Sequence, residues 1–184
     1  MKNDSNLIIA VPRGRILIEL RQLLKKINII PEKLFYDERC RRLSFKTNIK
    51  NIIFIKVRAF DVCTFVAFGA ADLGVCGSDV IEEFNYSEIY TPLDLNIGHC
   101  RLSVAALKTL LKKEDPLIWS NIRVATKYPN LTKKHFAKKG VQVETIKLNG
   151  SIELAPTLKM CKRVVDLVST GKTLKQNGLL EVEK

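Results

Sequence analysis

Residues 164–174 read V-V-D-L-V-S-T-G-K-T-L, an apolar run that contains an acid and continues into small hydroxyl residues. The pattern predicts a buried strand, a turn over residues 169–173 and a helix that starts near Leu174. Such a turn directs backbone N–H groups and hydroxyls toward one spot, which suits a phosphate group. A Walker A loop needs glycine five places before Gly171, where Asp166 stands. An acid at the strand end favours a sugar phosphate instead, because a carboxylate can hold ribose hydroxyls or a metal ion.

Predicted strands and helices alternate along the rest of the chain. A strand at residues 7–11 precedes a helix whose apolar residues recur with the 3.6-residue period. Further strands are predicted at 43–45, 52–57, 72–76 (buried), 91–96, 102–107, 123–126 and 141–146, and further helices at 59–68, 132–139 and 152–160. This alternation is typical of an α/β protein. Because this alternation of strands and helices starts again after about Asp94, we expect two lobes with a cleft between them.

The net charge of the 184 residues is +12, which calls for an explanation. Nucleic acid, a highly anionic small substrate and a lysine-rich surface are the three interpretations. The lysines come as scattered pairs on predicted helix surfaces, which favours solvated faces: Lys25-Lys26, Lys112-Lys113, Lys133-Lys134 and Lys138-Lys139. The sequence has no RNA-recognition aromatic motif, zinc finger or long basic tail, so nucleic acid is the weaker specific interpretation.

The lack of long apolar runs and the cysteine pattern indicate the cellular compartment. No apolar run approaches the roughly 20 residues of a membrane span, and residues 1–6 lack the apolar stretch of a signal peptide. We therefore expect a cytoplasmic protein without a membrane partner. The five cysteines are odd in number and contain no C-x-x-C pair, which predicts reduced thiols and neither a disulfide framework nor a zinc site.

Two arginine clusters are candidate anion sites. Arg13-Gly14-Arg15 follows a strand and precedes a helix, at the sheet edge where α/β proteins bind ligands. Arginine presents a planar fork to phosphate oxygens, and Gly14 permits close backbone approach; a solvated turn is the alternative. A second cluster lies at residues 39–42, where either Arg41 or Arg42 could reach a cleft.

Three further positions are candidates with ordinary alternatives. Gly77, at a strand end, suits backbone approach to a flat ligand. Asp94 could be a hydrogen-bond anchor or only a turn residue. Glu153 follows the L-N-G-S segment, although an acid at a helix N-terminus is common for dipole reasons alone. His99 and His135 have no evident nucleophile partner, so a catalytic triad is poorly supported and we expect surface histidines.

Taken together, the segments resemble the short form of the ATP phosphoribosyltransferase family, over nearly the whole chain. The blocks that carry the resemblance are A-V-P-R-G-R-I, V-R-A-F-D-V, G-A-A-D-L-G-V-C-G-S-D-V, P-L-D-L, C-R-L-S-V-A, V-A-T-K-Y-P-N-L-T, K-L-N-G-S-I-E-L-A-P and D-L-V-S-T-G-K-T-L. Several blocks in the right order are far more specific than any single loop.

The resemblance implies a fold, an assembly and a domain plan. The fold would be a two-lobed α/β structure of the type II periplasmic-binding-protein kind. Residues 1–93 would form lobe I, with 178–184 returning to it, and residues 94–177 would form lobe II with the phosphate loop. The short form lacks a C-terminal histidine-sensing domain, and it is paired with a regulatory subunit resembling a histidyl-tRNA synthetase. A homodimer within such a hetero-oligomer is implied.

The implied reaction, the first of histidine biosynthesis, joins ATP to phosphoribosyl pyrophosphate (PRPP) with Mg²⁺ and releases pyrophosphate. Adenine N1 attacks the anomeric carbon and carries no proton, so no strong base is needed. Asp166 would hold the ribose hydroxyls, and Arg15 and Arg41 would brace the leaving pyrophosphate. The 5′-phosphate would lie on Ser169, Thr170, Gly171, Lys172 and Thr173. The ATP site would include Arg13, Gly14, Gly77, Asp94 and Glu153, and no residues are assigned to the metal.

A second function stays open beside this one. Lys159 stands where the family has glycine, Cys161 where a small residue is usual and Lys162 where an acid is common. A non-catalytic member that binds nucleotides or serves as an interaction module is therefore the alternative to an active transferase.

Overall fold

The computed structural model describes residues 6–110 and 121–183. The chain divides into two compact units, Met1–Gly98 and His99–Lys184, so the division falls at Gly98 rather than after residue 93. The predicted surface pair Lys112-Lys113 lies outside the described residues. No helix within the described ranges is long and apolar enough to cross a bilayer.

The first unit is built on a four-stranded sheet in the order β2-β3-β1-β4. Its strands are β1 (Leu7–Pro12), β2 (Ser44–Lys46), β3 (Ile52–Val57) and β4 (Leu73–Gly74). Its helices are α1 (Arg15–Lys26), α2 (Val62–Ala67) and α3 (Ser78–Phe84), with 3₁₀ turns at Lys33–Tyr36 and Ala59–Asp61. Strand β1 is parallel to β3 and β4, while β2 is antiparallel to β3.

Two clusters of buried side chains form the core of this unit. Helix α1 buries Leu17, Leu20 and Leu24 against Phe35 and Phe54, as the 3.6-residue period predicts. A second cluster joins β1 to α2 through residues Ala10, Val62 and Ala71.

The second unit contains a five-stranded sheet in the order β7-β6-β8-β5-β9. The strands are β5 (Arg101–Leu107), β6 (Asn121–Thr126), β7 (Gln142–Lys147), β8 (Arg163–Val168) and β9 (Leu179–Glu183). The helices are α4 (Pro129–Ala137), α5 (Leu154–Thr157) and α6 (Lys172–Gln176). Strands β6, β7 and β8 are mutually parallel, and β5 is antiparallel to β8 and β9.

Strand β8 packs on both faces, which explains its nearly continuous apolar sequence. Val165 belongs to the cluster that contains Phe136 of α4. Val164 and Val168 belong to the opposite cluster, with Ala155 of α5 and Leu174 of α6. Because side chains alternate along a strand, Asp166 faces the same side as Val164 and Val168.

Several predicted elements differ from the structure. The buried strand expected at 72–76 is only the two-residue β4, and the Leu73 side chain is 46% exposed. Residues 91–96 form no strand. The helix expected at 152–160 shrinks to α5, because Lys159 adopts a left-handed φ of 59° soon after it.

The expected return of residues 178–184 to the first lobe is wrong. Strand β9 pairs with β5 and so belongs to the second sheet. Gly178, with a φ of 71°, turns the chain directly after α6, and its carbonyl accepts a hydrogen bond from Lys108 N–H at 3.2 Å. This short turn leaves β9 antiparallel to β5.

Candidate active site

The carboxyl edge of the second sheet gathers the phosphate segment and two other connections. The parallel strands β6, β7 and β8 all end there, where α/β sheets bind ligands. Lys127 follows β6, and the segment leading to Glu153 follows β7. The Leu148 N–H donates to the Thr126 carbonyl at 3.0 Å, which holds the exits of β6 and β7 side by side.

Asp166 is the central acid of this edge. It is half-buried, and its Oδ1 accepts a hydrogen bond from the Leu167 N–H at 2.8 Å. Burial raises the pKa of Asp166; the Leu167 bond lowers it, the nearby Glu153 charge raises it and the Lys127 charge lowers it. The carboxylate is therefore poorly solvated and has an oxygen available for a hydroxyl donor.

Ser103 and Lys127 flank Asp166 on the two neighbouring strands. Ser103 is its partner across the antiparallel ladder, so both side chains face the same side. The Ser103 side chain is 2% exposed, and its Oγ has no hydrogen-bond partner within the described residues. Thr126 pairs with Val165, which places Lys127 beside Asp166 on the other side. Neither residue was a candidate, since the sequence alone does not give the strand register.

The phosphate loop leaves β8 directly after Val168. Gly171 has a φ of 71°, a left-handed conformation that suits glycine, and α6 begins at the next residue. Within the described part of the chain, the N–H groups of Thr170 and Gly171 donate no hydrogen bond. The loop thus offers amides and hydroxyls to an anion, and the structure brings Ser169–Thr173 together with Asp166 and Glu153.

Arg101 holds the first residue of this loop. Its Nη1 donates to the Ser169 carbonyl at 3.4 Å. The same guanidinium pairs with both carboxylate oxygens of Glu181 on β9, at 2.9 to 3.2 Å. Strand β9 and the loop are therefore tied through one side chain.

Four segments that carry arginine or glycine residues meet at one edge of the first sheet. Pro12 pairs with Val57, so Arg13 and Arg58 leave the sheet next to each other. Since β2 runs antiparallel to β3, the residues before Ser44 lie at that same edge. Strand β4 is parallel to β1, which brings the segment ending at Gly77 there too. Arg58 is a residue that the sequence reasoning did not single out.

Contacts separate Arg41 from Arg42. Arg42 forms an ion pair with Glu32 at 2.8 Å and lies over the Phe45 ring at 5.2 Å. Arg41 is exposed and makes no hydrogen bond or ion pair within the described residues. Arg42 thus supports the fold, and Arg41 is the arginine available to a ligand.

Arg15 is partly engaged in the fold. Its Nη2 donates to the Gly98 carbonyl at 3.0 Å, and its Nε lies 3.8 Å from Glu19 Oε1. Arg13 is exposed, with no partner within the described part of the chain. Gly14, at a φ of 87°, directs the turn between them. Arg13 and Arg15 therefore both lie near this sheet edge, but within the described ranges only the Arg15 side chain is held there by contacts with Gly98 and Glu19.

Buried Lys56 supports the segment that carries Arg41. Its side chain is 3% exposed and its Nζ donates to the Asp37 carbonyl at 3.3 Å. The ammonium also lies 4.6 Å from the Phe45 ring centre and 5.9 Å from that of Phe35. Burial lowers the pKa of Lys56. These contacts hold Asp37, near the start of the segment that carries Arg41, against the buried rings of Phe35 and Phe45.

The remaining candidates have local roles in the structure. Asp94 Oδ1 accepts a hydrogen bond from the Asn96 N–H at 2.8 Å, and Asn96 has a φ of 53°, so Asp94 is a turn residue. His99 is exposed, as expected. His135 is half-buried and lies 3.3 Å from Glu183, so it is less superficial than expected.

Comparison with known proteins gives the family. A model of the family described as ATP phosphoribosyltransferase matches residues 58–184. A relative with that name from Paramagnetospirillum magneticum is 58% identical over 183 residues, which cover 100% of this chain and 84% of the relative. The chain belongs to the ATP phosphoribosyltransferase family.

Solved structures confirm the fold expected for an ATP phosphoribosyltransferase. The ATP phosphoribosyl transferase (HisG:HisZ) complex from Thermotoga maritima matches with a TM-score of 0.77 and 34% identity, over 96% of this chain and 81% of that one. An ancestral arginine-binding protein matches with a TM-score of 0.52 at 11% identity, over 97% of this chain and 79% of its own. The fold is the type II periplasmic-binding-protein kind.

The family reaction condenses ATP with PRPP in the first step of histidine biosynthesis, which confirms the function predicted from the ordered blocks. This reaction develops positive charge on the sugar and negative charge on pyrophosphate. Such charge separation is stabilised by preorganised hydrogen-bond donors and opposite charges.

Proposed function

We propose that the carboxyl edge of the second sheet holds the phosphoribosyl group of PRPP. The observation that carries the proposal is Asp166, a half-buried carboxylate followed four and five residues later by the N–H groups of Thr170 and Gly171, which have no acceptor in the described residues. Its available oxygen would accept hydrogen bonds from the ribose hydroxyls. Ser103 and Lys127, on either side, would complete the polar surroundings of the sugar.

Ser169 through Thr173 would hold the 5′-phosphate. The left-handed Gly171 allows the backbone to bend around an anion, and the hydroxyls of Ser169, Thr170 and Thr173 can donate to its oxygens. Lys172 adds positive charge at the same loop. Glu153, within charge interaction of Asp166, fits the sugar end of the site better than the ATP site first expected for it.

Arg41 and Arg15 would stabilise the pyrophosphate as it leaves. Arg41 is exposed and free of partners in the described residues, and Lys56 fixes the start of its loop. Arg58 lies at the same sheet edge and would add a third guanidinium. The attacking adenine N1 carries no proton, so these groups lower the barrier by electrostatic stabilisation rather than by proton transfer.

ATP would bind through Arg13, Gly14, Gly77 and Asp94. Arg13 offers a guanidinium to the triphosphate, and Gly14 and Gly77 allow close approach of the backbone. The Asp94 carboxylate also accepts a hydrogen bond from the Asn96 N–H in a local turn.

Magnesium would accompany PRPP. The described residues contain no group of three or more His, Cys, Asp or Glu side chains able to hold a metal ion. Mg²⁺ commonly binds through one or two carboxylates together with substrate phosphates, so Asp166 and Glu153 fit this cation. Bound there, it would neutralise charge on the departing pyrophosphate.

A regulatory partner is part of the same proposal. The Thermotoga maritima protein was solved as a HisG:HisZ complex. By this similarity, the chain would form a homodimer within a hetero-oligomer with a subunit resembling a histidyl-tRNA synthetase.

Replacing Arg41 tests the proposal. Arg41→Ala is expected to lower kcat by about 10²–10³, the usual effect of removing a donor to a developing anion. The readout is pyrophosphate release with ATP, PRPP and Mg²⁺, with and without the regulatory subunit. Arg39→Ala, an exposed neighbour, is the matched control and should change kcat by less than about threefold.

An unchanged kcat for Arg41→Ala would contradict the assignment. Pyrophosphate release that stays absent in the unmodified protein, even with the regulatory subunit, would instead favour the non-catalytic member of the family. Circular dichroism of each variant checks that the fold is retained.

A further inference from the structure

Two cysteines that are separated in the sequence lie close together in the first unit. Cys63 Sγ and Cys76 Sγ are 3.8 Å apart. Cys63 belongs to the first turn of α2 and is 2% exposed, while Cys76 follows β4 and is half-buried. Neither residue has a role in the proposed transferase site.

The backbone keeps these two thiols together. The Val75 N–H donates to the Ala10 carbonyl at 2.8 Å, which fixes the residue before Cys76 on β1. A Cβ atom at Gly74 would lie 2.6 Å from Val62 Cγ1, so β4 and the start of α2 are in very close contact. The proximity of the sulfurs is therefore a property of the packed elements.

The two thiols also influence each other's ionisation. The hydrogen bond with Cys76 lowers the pKa of Cys63, and the same contact, with burial, raises the pKa of Cys76. Attack on a disulfide needs access as well as a thiolate, so Cys76, which is half-buried, meets a reagent first despite its raised pKa, whereas Cys63 is 2% exposed.

We propose that Cys63 and Cys76 form a dithiol oxidation site that closes to an intrachain disulfide by exchange with a small-molecule disulfide. Cys76, the more exposed thiol, loses its proton and its sulfur bonds to one sulfur of the reagent, which releases one thiolate. Cys63 then loses its proton and displaces the second thiolate. The two cysteines are oxidised by two electrons, and the reagent is reduced to two thiols.

Closure requires a modest movement. A disulfide has an S–S distance of about 2.05 Å, so the sulfurs must approach by roughly 1.7 Å from their present separation. In reducing surroundings such a bond is transient, as disulfides of redox-sensing proteins are.

Mass spectrometry tests the proposal on the whole protein. The native chain is incubated with oxidised glutathione, quenched with iodoacetamide and digested without reduction. Asp-N protease cuts before aspartate, so it separates residues 61–71, with Cys63, from residues 72–78, with Cys76. The expected product is these two peptides joined by a disulfide. Exposed Cys100 reports that the oxidant reacted.

Recovery of the two peptides singly, each alkylated or carrying glutathione, at a time when Cys100 is fully modified would overturn the proposal. Cys63→Ser distinguishes the route. In this variant, a stable glutathione adduct on Cys76 is expected, since no second thiol displaces it. Unmodified Cys76 in Cys63→Ser would also overturn the exchange.

Discussion

Asp166 occupies a position where ionisation destabilises the folded protein. Burial raises its pKa, so the protonated form is favoured in the folded state. The contribution of Asp166 to stability is thus fully present below the pKa that its side chain has in the unfolded chain. It is lost as pH rises through the pKa that the side chain has in the folded protein. A carboxylate in such a place is typical of a binding or catalytic site.

Asp166→Asn is expected to separate stability from activity. At pH 7 the free energy of unfolding should rise by about 0.5–2 kcal/mol, the range of single stabilising substitutions. The gain should shrink as pH is lowered toward the ordinary aspartate range. In contrast, kcat/KM for PRPP should fall roughly 10- to 100-fold through loss of a charged acceptor. Urea unfolding at several pH values and steady-state kinetics provide the measurements. Equal free energies of unfolding for Asp166→Asn and the unmodified protein at all pH values would contradict the prediction.

Lys159 illustrates the cost of a backbone conformation. Its φ of 59° is left-handed, a conformation that glycine adopts without a steric penalty. Lys159→Gly is expected to raise the free energy of unfolding by about 0.5–1 kcal/mol, because glycine removes steric strain while increasing unfolded-chain entropy. Lys159→Ala removes the charge but retains a Cβ, so it should give no gain. Urea unfolding midpoints compare the two; equal gains would show that the charge matters instead.

At the scale of single residues, the sequence predicted what lies within one segment. Asp166 and Gly171 were identified because an apolar strand, an acid and a turn follow one another along the chain. Ser103 and Lys127 were missed, because they reach Asp166 only through the register of two neighbouring strands. The residue pattern alone left Arg41 and Arg42 as alternatives and the family resemblance pointed to Arg41; the structure adds the contacts of Arg42 with Glu32 and Phe45.

Among the elements, β9 and the phosphate loop are coupled through Arg101. Arg101→Ala should lower the free energy of unfolding by about 1 kcal/mol and raise KM for PRPP roughly fivefold, because both Glu181 and the Ser169 carbonyl lose their donor.

Arg123→Ala is the matched control for Arg101→Ala. The Arg123–Glu144 pair, at 2.7 Å, joins two exposed side chains and touches no loop. It should change stability by less than about 0.5 kcal/mol and leave KM unchanged. Similar KM values for the two variants would show that Arg101 does not position the loop. Amide exchange of Ser169–Thr173 provides a second readout.

Element prediction succeeded where a local period decides the structure. Helix α1 has three buried leucines at helical spacing, and four of the six residues of β8 are apolar. It failed for β4, whose two residues are a strand only because Ile9 and Ala10 pair with them. It failed for β9 because pairing with β5, rather than sequence, decides which sheet receives that strand.

For the whole molecule, substrate binding should appear as thermal stabilisation. PRPP with Mg²⁺ at about 100 times its dissociation constant adds roughly 2.7 kcal/mol, which corresponds to a rise in Tm of about 5–10 °C for a chain of this length. Scanning calorimetry gives the shift. Asp166→Asn should lose most of it, whereas Arg123→Ala should retain it. An equal shift in both variants would place the sugar elsewhere.

The edges of the two sheets bear on how this protein behaves when concentrated. The first sheet ends in strands of only three and two residues, β2 and β4. The outer strands of the second sheet, β7 and β9, carry Glu144, Lys147, Glu181 and Glu183. Short or charged borders offer little backbone for another chain to extend in register. Crowded solutions should therefore resist fibrous polymerisation, even though more than two-fifths of the residues are hydrophobic.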